Sequence, residues 1–168
     1  CVPAHTSGGG SVNGKLVGGF IVITALLAGA SIYWLQEYAY YTPVSFDATN
    51  RIELTLIETG QPEPILAENI QGINADTSPL RFRACFQTPM TQAMLTETYE
   101  TYDGAVPLNA PNWFDCFDAA KIGEALKTGE AIAFLSQSNI ATDVDRVVAV
   151  FPDGRAFAWQ QFHPGKGE

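Results

Sequence analysis

From Leu16 to Leu35 the chain reads LVGGFIVITALLAGASIYWL without one charged residue, and beyond it the pattern changes to short runs that alternate apolar and polar positions. Twenty helical residues at about 1.5 Å each span roughly 30 Å, the thickness of a bilayer's hydrocarbon core, so residues 14–36 are predicted to form one transmembrane helix. Tyr33 and Trp34 close the run and Tyr38, Tyr40 and Tyr41 follow, residue types that favour the headgroup layer. Ala28-Gly29-Ala30 also has the small-x-small form of a signal-peptidase site. The apolar run continues past it into the aromatic residues, which favours a retained anchor.

Further along, Arg51 to Glu58 (RIELTLIE) alternates at period two and stops at Thr59-Gly60-Gln61-Pro62, which predicts a half-buried strand. Leu80 to Phe86 (LRFRACF) alternates again after Asp76-Thr77-Ser78-Pro79, with Leu80, Phe82, Ala84 and Phe86 on one face and Arg81, Arg83 and Cys85 on the other. Asp118 to Thr128 (DAAKIGEALKT) has apolar residues at helical spacing, an N-cap in Asp118 and a stop in Gly129. Ala131 to Leu135 fits either a continuation of that helix or a short strand. Arg146–Phe151 (RVVAVF) and Arg155–Phe162 (RAFAWQQF) flank Pro152-Asp153-Gly154, a strong hairpin signal. Together these elements predict an α+β domain with a mostly antiparallel sheet over residues 51–168, tied to the span by a juxtamembrane linker at 37–50. Residues 1–13 read as a flexible Gly/Ser-rich extension.

Charge orients this arrangement. Lys15 precedes the span, and Glu37 and Asp47 follow it, so the positive-inside tendency places the N-terminus in the cytoplasm and residues 37–168 outside. Cys85 and Cys116 are an even pair within that domain, as expected for one disulfide in an oxidising compartment, the alternative being two buried thiols. From Glu37 onward eight Lys/Arg face eighteen Asp/Glu, and 8 − 18 gives −10. That balance disfavours nucleic acid and direct docking on anionic lipid, and is compatible with a basic periplasmic protein as partner.

Candidate chemistry is sparse. His163, five residues before the last, stands beside Pro164-Gly165 on an expected tail, a poor place for a catalytic triad. There is no C-x-x-C, H-x-x-x-H or H-E-x-x-H, and Asp143-Val144-Asp145 reads as an exposed acidic turn rather than part of a calcium loop. No catalytic, cofactor-binding or metal-ligating residue is expected. Cys85 and Cys116 read as a structural staple in preference to a redox pair, because Asp115 and Asp118 oppose a thiolate at Cys116. Trp113, Phe114 and Phe117, with Pro107 and Pro111, form an aromatic loop that either fills core or presents a contact surface. Gly14-x-x-x-Gly18 and Ala25-x-x-x-Gly29 permit close approach of a partner helix.

The segments GKLVGG, ADTSPLRFRACF, WFDCFD and DRVVAVFPDGRAFAW together resemble a family of uncharacterised single-span proteins from alphaproteobacteria, over about Gly14 to Trp159. Members of that family usually begin with Met before Gly-Lys, where this chain has Asn13. The resemblance implies topology and origin and brings no catalytic residues. The expected function is therefore that of a non-enzymatic accessory or assembly subunit. Gly14, Gly18, Ala25 and Gly29 would pack its helix against an integral membrane complex, respiratory or photosynthetic, and Trp113, Phe114, Tyr33 and Trp34 would supply contacts. A periplasmic ligand-binding or sensory module, and a thiol-disulfide protein using Cys85 and Cys116, are the alternatives.

Overall fold

A computed structural model describes residues 13–47 and 51–165. The expected N-terminal extension, Asn13 apart, lies outside these residues, as do positions 48–50 of the linker and 166–168 at the end. The chain divides into two units after Ala39.

The first unit is helical. Asn13 caps α1 (Gly14–Trp34), its side-chain oxygen accepting from Lys15 N at 3.2 Å, and a π-helical turn follows over Leu35–Ala39. The 26 residues Gly14–Ala39 are long and apolar enough to cross a membrane, an 18-residue window within them reaching a mean hydropathy of 2.1, and no residue of α1 is buried. The two hydroxyls in the run are satisfied within the helix: Thr24 donates to Phe20 O at 2.8 Å and Ser31 to Leu27 O at 2.7 Å. A polar group paired in this way does not penalise a lipid environment.

The second unit is α+β. Its strands are β1 (Thr42–Pro43), β2 (Glu53–Thr55), β3 (Pro62–Pro64), β4 (Glu68–Asn74), β5 (Arg83–Gln87), β6 (Ile132–Ala141), β7 (Val144–Val150) and β8 (Arg155–Phe162), with helices α2 (Gln92–Thr98) and α3 (Ala119–Thr128) between β5 and β6. Six strands form one antiparallel sheet in the order β1-β4-β5-β8-β7-β6, and β2 pairs with β3 in a separate hairpin. The expected α+β class holds, with more strands than the alternating runs disclose.

Three elements follow the pattern closely. Asp118 caps α3, accepting from Lys121 N at 3.1 Å, and Gly129 ends it in the left-handed region at φ 77°. The Pro-Asp-Gly turn joins β7 to β8 with Val150 opposite Ala156. Ala131 to Leu135 resolves as the start of β6 rather than as more helix, because Gly129 has already turned the chain. The strand expected over Arg51–Glu58 is corrected: only Glu53–Thr55 is strand, since the chain folds back through Gly60 to pair with Pro62–Pro64. Ile52 and Leu54 still point inward, as their spacing requires.

The large sheet is covered on both faces. On one side Phe82, Ala84, Phe86, Phe134, Val148, Val150, Ala156 and Ala158 pack with Ile52 and Leu54 of the small hairpin and Leu95 of α2. On the other, Cys85, Val147, Ala149, Phe157 and Trp159 pack with Phe114 and Phe117 of the loop before α3 and with Ile122 and Ala125 of α3 itself. Consecutive residues of β7 and β8 therefore face different cores, which is why RVVAVF and RAFAW are apolar throughout instead of alternating with polar residues.

Candidate functional site: an aromatic surface beside the disulfide

Strand β5 directs alternate side chains to opposite cores, and Cys85 points toward α3. The loop approaching α3 tightens through Phe114 N to Pro111 O at 2.9 Å and Phe117 N to Phe114 O at 3.3 Å, which brings Cys116 over β5. Cys85 and Cys116 form a disulfide with Cα atoms 6.3 Å apart and a sequence separation of 31. Its two sulfurs differ in setting: Cys85 is buried and Cys116 is exposed.

The same loop sorts its aromatic residues. Phe114 and Phe117 are 9% and 5% exposed and belong to the core, so the contact role expected of Phe114 is corrected; the short turns of the loop rotate it under the sheet. Trp113, one residue earlier, remains 37% exposed. Its ring meets Tyr41 edge-on at 6.0 Å and Phe114 at 6.2 Å. The Arg81 guanidinium stands 5.6 Å from the Tyr41 ring and 6.0 Å from that of Tyr40. Arg81 Nη1 is enclosed and meets no acceptor among the described residues. Tyr40, Tyr41, Arg81 and Trp113 thus make one surface from three separate stretches of chain.

Arg83 is not on an outward face, as the alternation implied, but 3% exposed. Its fork donates to Leu108 O at 2.8 Å, Asn109 O at 3.0 Å, Leu80 O at 2.8 Å and Phe82 O at 2.6 Å, and it stacks at 5.7 Å on Phe117. Burial pulls its pKa down to about 10, which still leaves it charged at neutral pH. A rigid, planar cation satisfied by four carbonyls fastens the loop that carries Trp113 and Cys116 to β5.

A second polar cluster lies at the β6–β7 turn. Asp145, expected in an exposed acidic turn, is 1% exposed, and it accepts from Tyr102 OH at 2.8 Å, Asn139 N at 2.9 Å and His163 Nδ1 at 2.7 Å. Burial pushes its carboxyl up, and the hydrogen bonds from Asn139, His163 and Tyr102 outweigh that and hold it below the ordinary value. Tyr102 moves the opposite way, raised by burial and by the carboxylate it serves, so it is a donor and not a base. His163 is therefore no free tail residue: its ring binds Asp145 and its backbone N–H binds Asp143 O at 2.9 Å. Nothing in the spacing of Tyr102, Asp145 and His163 announced this. The one legible signal was a lone aspartate inside the apolar run VDRVVAV.

Beside Tyr102 an open groove of about 540 Å³ runs between α3 and the loop before it, lined among others by Gly104, Val106, Pro107, Gly123 and Leu126. Among the described residues no group of three or more His, Cys, Asp and Glu side chains is placed to hold a metal ion.

With this geometry in place, the model of a family of unknown function (DUF6446) matches residues 52–166. The chain belongs to that family. The match covers the domain from β2 to the end of β8, and with it Arg81, the disulfide, Trp113 and the Asp145 cluster. No curated protein and no solved structure matches the chain.

The small residues expected to pack the helix remain in open space: a Cβ added at Gly14, Gly18 or Gly29 would meet nothing within 4 Å. At about 100° per residue, Gly14, Gly18, Ala25 and Gly29 fall within a sector of roughly 60° on α1. Tyr33 and Trp34 in the last turn of α1 are 56% and 59% exposed, and so stay available for contact.

Proposed function

We propose that the protein is a non-enzymatic, membrane-anchored accessory or assembly subunit. Its helix packs against a larger membrane complex, and its acidic domain lies on the periplasmic side of a bacterial inner membrane. The observation that carries this reading is the narrow stripe of Gly14, Gly18, Ala25 and Gly29, unobstructed on a helix apolar around its whole circumference. Small residues on one stripe let two helix backbones approach closely, and lipid alone makes no use of such a stripe. Lys15 just before the apolar run and a disulfide in the domain both support the orientation.

Purification in mild detergent, followed by size exclusion and mass spectrometry of the co-eluting proteins, tests the reading. A fixed set of membrane subunits, lost in Gly18→Leu and Gly29→Leu variants, is the expected result. A lone monomer or homodimer would overturn it.

One observation favours a second reading, a thiol-disulfide function: Cys116 is exposed to an attacking thiolate while Cys85 is buried as a leaving group. A Cys85→Ser variant that keeps its stability and loses a measured reductase activity would establish that reading instead.

A further inference from the structure

The loop from Tyr102 to Asn109 belongs to no helix or strand, yet buried polar side chains of three strands of the large sheet fix its course. Asp145 of β7 accepts from Tyr102 OH at 2.8 Å. Gln161 of β8, 5% exposed, accepts from Val106 N at 2.7 Å and donates to Gly104 O at 3.1 Å, while Trp159 Nε1 at 3.0 Å holds the same amide in place. Arg83 of β5 donates to Leu108 O and Asn109 O. Each of these side chains would be costly to bury unpaired, so the loop is held wherever its partner lies.

The loop so fixed is one wall of the groove of about 540 Å³, and α3 is the other. Ala105, Ala119, Ala120, Gly123, Ala131 and Ala133 line it, side chains too small to fill the space between the walls, and Val106 beside them is 60% exposed. The volume lies within the range of roughly 300–1,000 Å³ usual for binding sites. Because the groove is open along the surface, it suits a chain that enters and leaves better than a small molecule that must be enclosed on most sides.

Charge selects the occupant. Asp103, exposed, lines the groove, and among the described residues no cation forms an ion pair with it. Lys127 lines it too, but stands in the last turn of α3, where its charge complements the end of the helix dipole. From Glu37 onward eight cations against eighteen anions give −10, a field that attracts a basic segment and repels an acidic one.

We propose that this groove receives an extended basic segment of a partner protein, whose apolar side chains rest on the alanine and glycine lining and whose lysine or arginine meets Asp103. The proposal stands apart from the packing of α1, since the groove lies wholly within the second unit.

A phage library of random linear peptides, panned against the full chain in detergent, tests it, followed by fluorescence anisotropy of the selected peptides. The expected sequences combine lysine or arginine with apolar residues and lack acidic ones. Asp103→Lys is expected to weaken their binding by about tenfold, and the same charge change at Glu63 of β3, which is not among the groove residues, to leave it nearly unchanged. Gly123→Leu should abolish binding, because a Cβ there already lies 3.6 Å from Pro107 Cγ and the rest of the side chain must enter the groove. Should that variant fold poorly, Val106→Asp at an exposed position serves in its place. Acidic or wholly apolar selected sequences would overturn the proposal, as would equal losses in the Asp103 and Glu63 variants. Binding that survives both groove variants, or no enrichment at all, would overturn it as well.

Discussion

His163 Nδ1 lies 2.7 Å from Asp145 Oδ2, and this contact joins the residue after the last strand to a carboxylate that is 1% exposed. An ionised carboxylate only accepts, so His163 must carry its proton on Nδ1 and leave Nε2 to face solvent. With Tyr102 OH and Asn139 N on the same group, Asp145 fixes the end of β8, the turn between β6 and β7, and the segment before the groove.

Asp145→Asn keeps the shape and removes the charge, and its amide nitrogen must face donors. A buried network broken at its centre loses roughly 2–4 kcal/mol, so the variant should unfold at markedly lower urea concentration than the parent with a similar slope.

The same residue sets an acid dependence. Its folded-state pKa lies below its ordinary value, so the stability it contributes is complete above the unfolded carboxylate value of about 3.9 and is lost as pH falls through the lower folded one. Urea midpoints measured from pH 6 down to pH 3 should fall more steeply in the parent than in Asp145→Asn.

Arg83→Lys retains the positive charge and loses the fork. One ammonium cannot serve Leu80, Phe82, Leu108 and Asn109 together, and a buried carbonyl left unpaired costs about 1–3 kcal/mol. Thermal unfolding should show that loss. Limited proteolysis should cut first in the loop between Leu108 and Phe117, which the fork no longer holds.

Reducing the Cys85–Cys116 bond, or replacing both residues with Ala, should lower stability by roughly 3 to 4 kcal/mol, the chain-entropy value for a loop closed over a separation of 31 residues. Denaturant curves with and without reductant give the number. Equal stability in the two would show that the loop is held by Arg83 and Phe117 without the bond.

Two glycines separate backbone strain from steric collision. Gly129 and Gly154 both have positive φ, 77° and 86°, but a Cβ at Gly154 would lie 2.7 Å from Thr88 O while one at Gly129 would meet nothing within 4 Å. Gly129→Ala should cost about 1 kcal/mol and Gly154→Ala at least about 2, because Thr88 N also binds Gly154 O and its backbone cannot move away. Melting temperatures of the two variants check the order.

Local pattern settled the elements whose determinants are neighbours in the chain. An uncharged run of twenty residues makes a membrane-length helix, Asp118 and Gly129 delimit α3, and Pro152-Asp153-Gly154 turns β7 into β8, each through contacts within a few residues. Strand β4 escaped because ENIQGIN has little apolar pattern and a bulge between Glu68 and Gln71, with Asn69 at φ 51°, interrupts its period. Helix α2 escaped because seven residues with one buried side chain, Leu95, carry too short a pattern to read.

What only tertiary structure decided is what long-range partners impose. Arg83 looked outward until a second layer closed over that face, and His163 looked like tail until Asp145 was seen beneath it. Phe114 and Trp113, adjacent and chemically alike in the sequence, part into core and surface because the loop turns between them. Period and composition report how a residue meets its neighbours along the chain. Whether a face of the sheet meets water or another layer depends on segments 25 to 81 residues away, such as Leu108 for Arg83 and Ser136 for Thr55, whose positions no local pattern encodes.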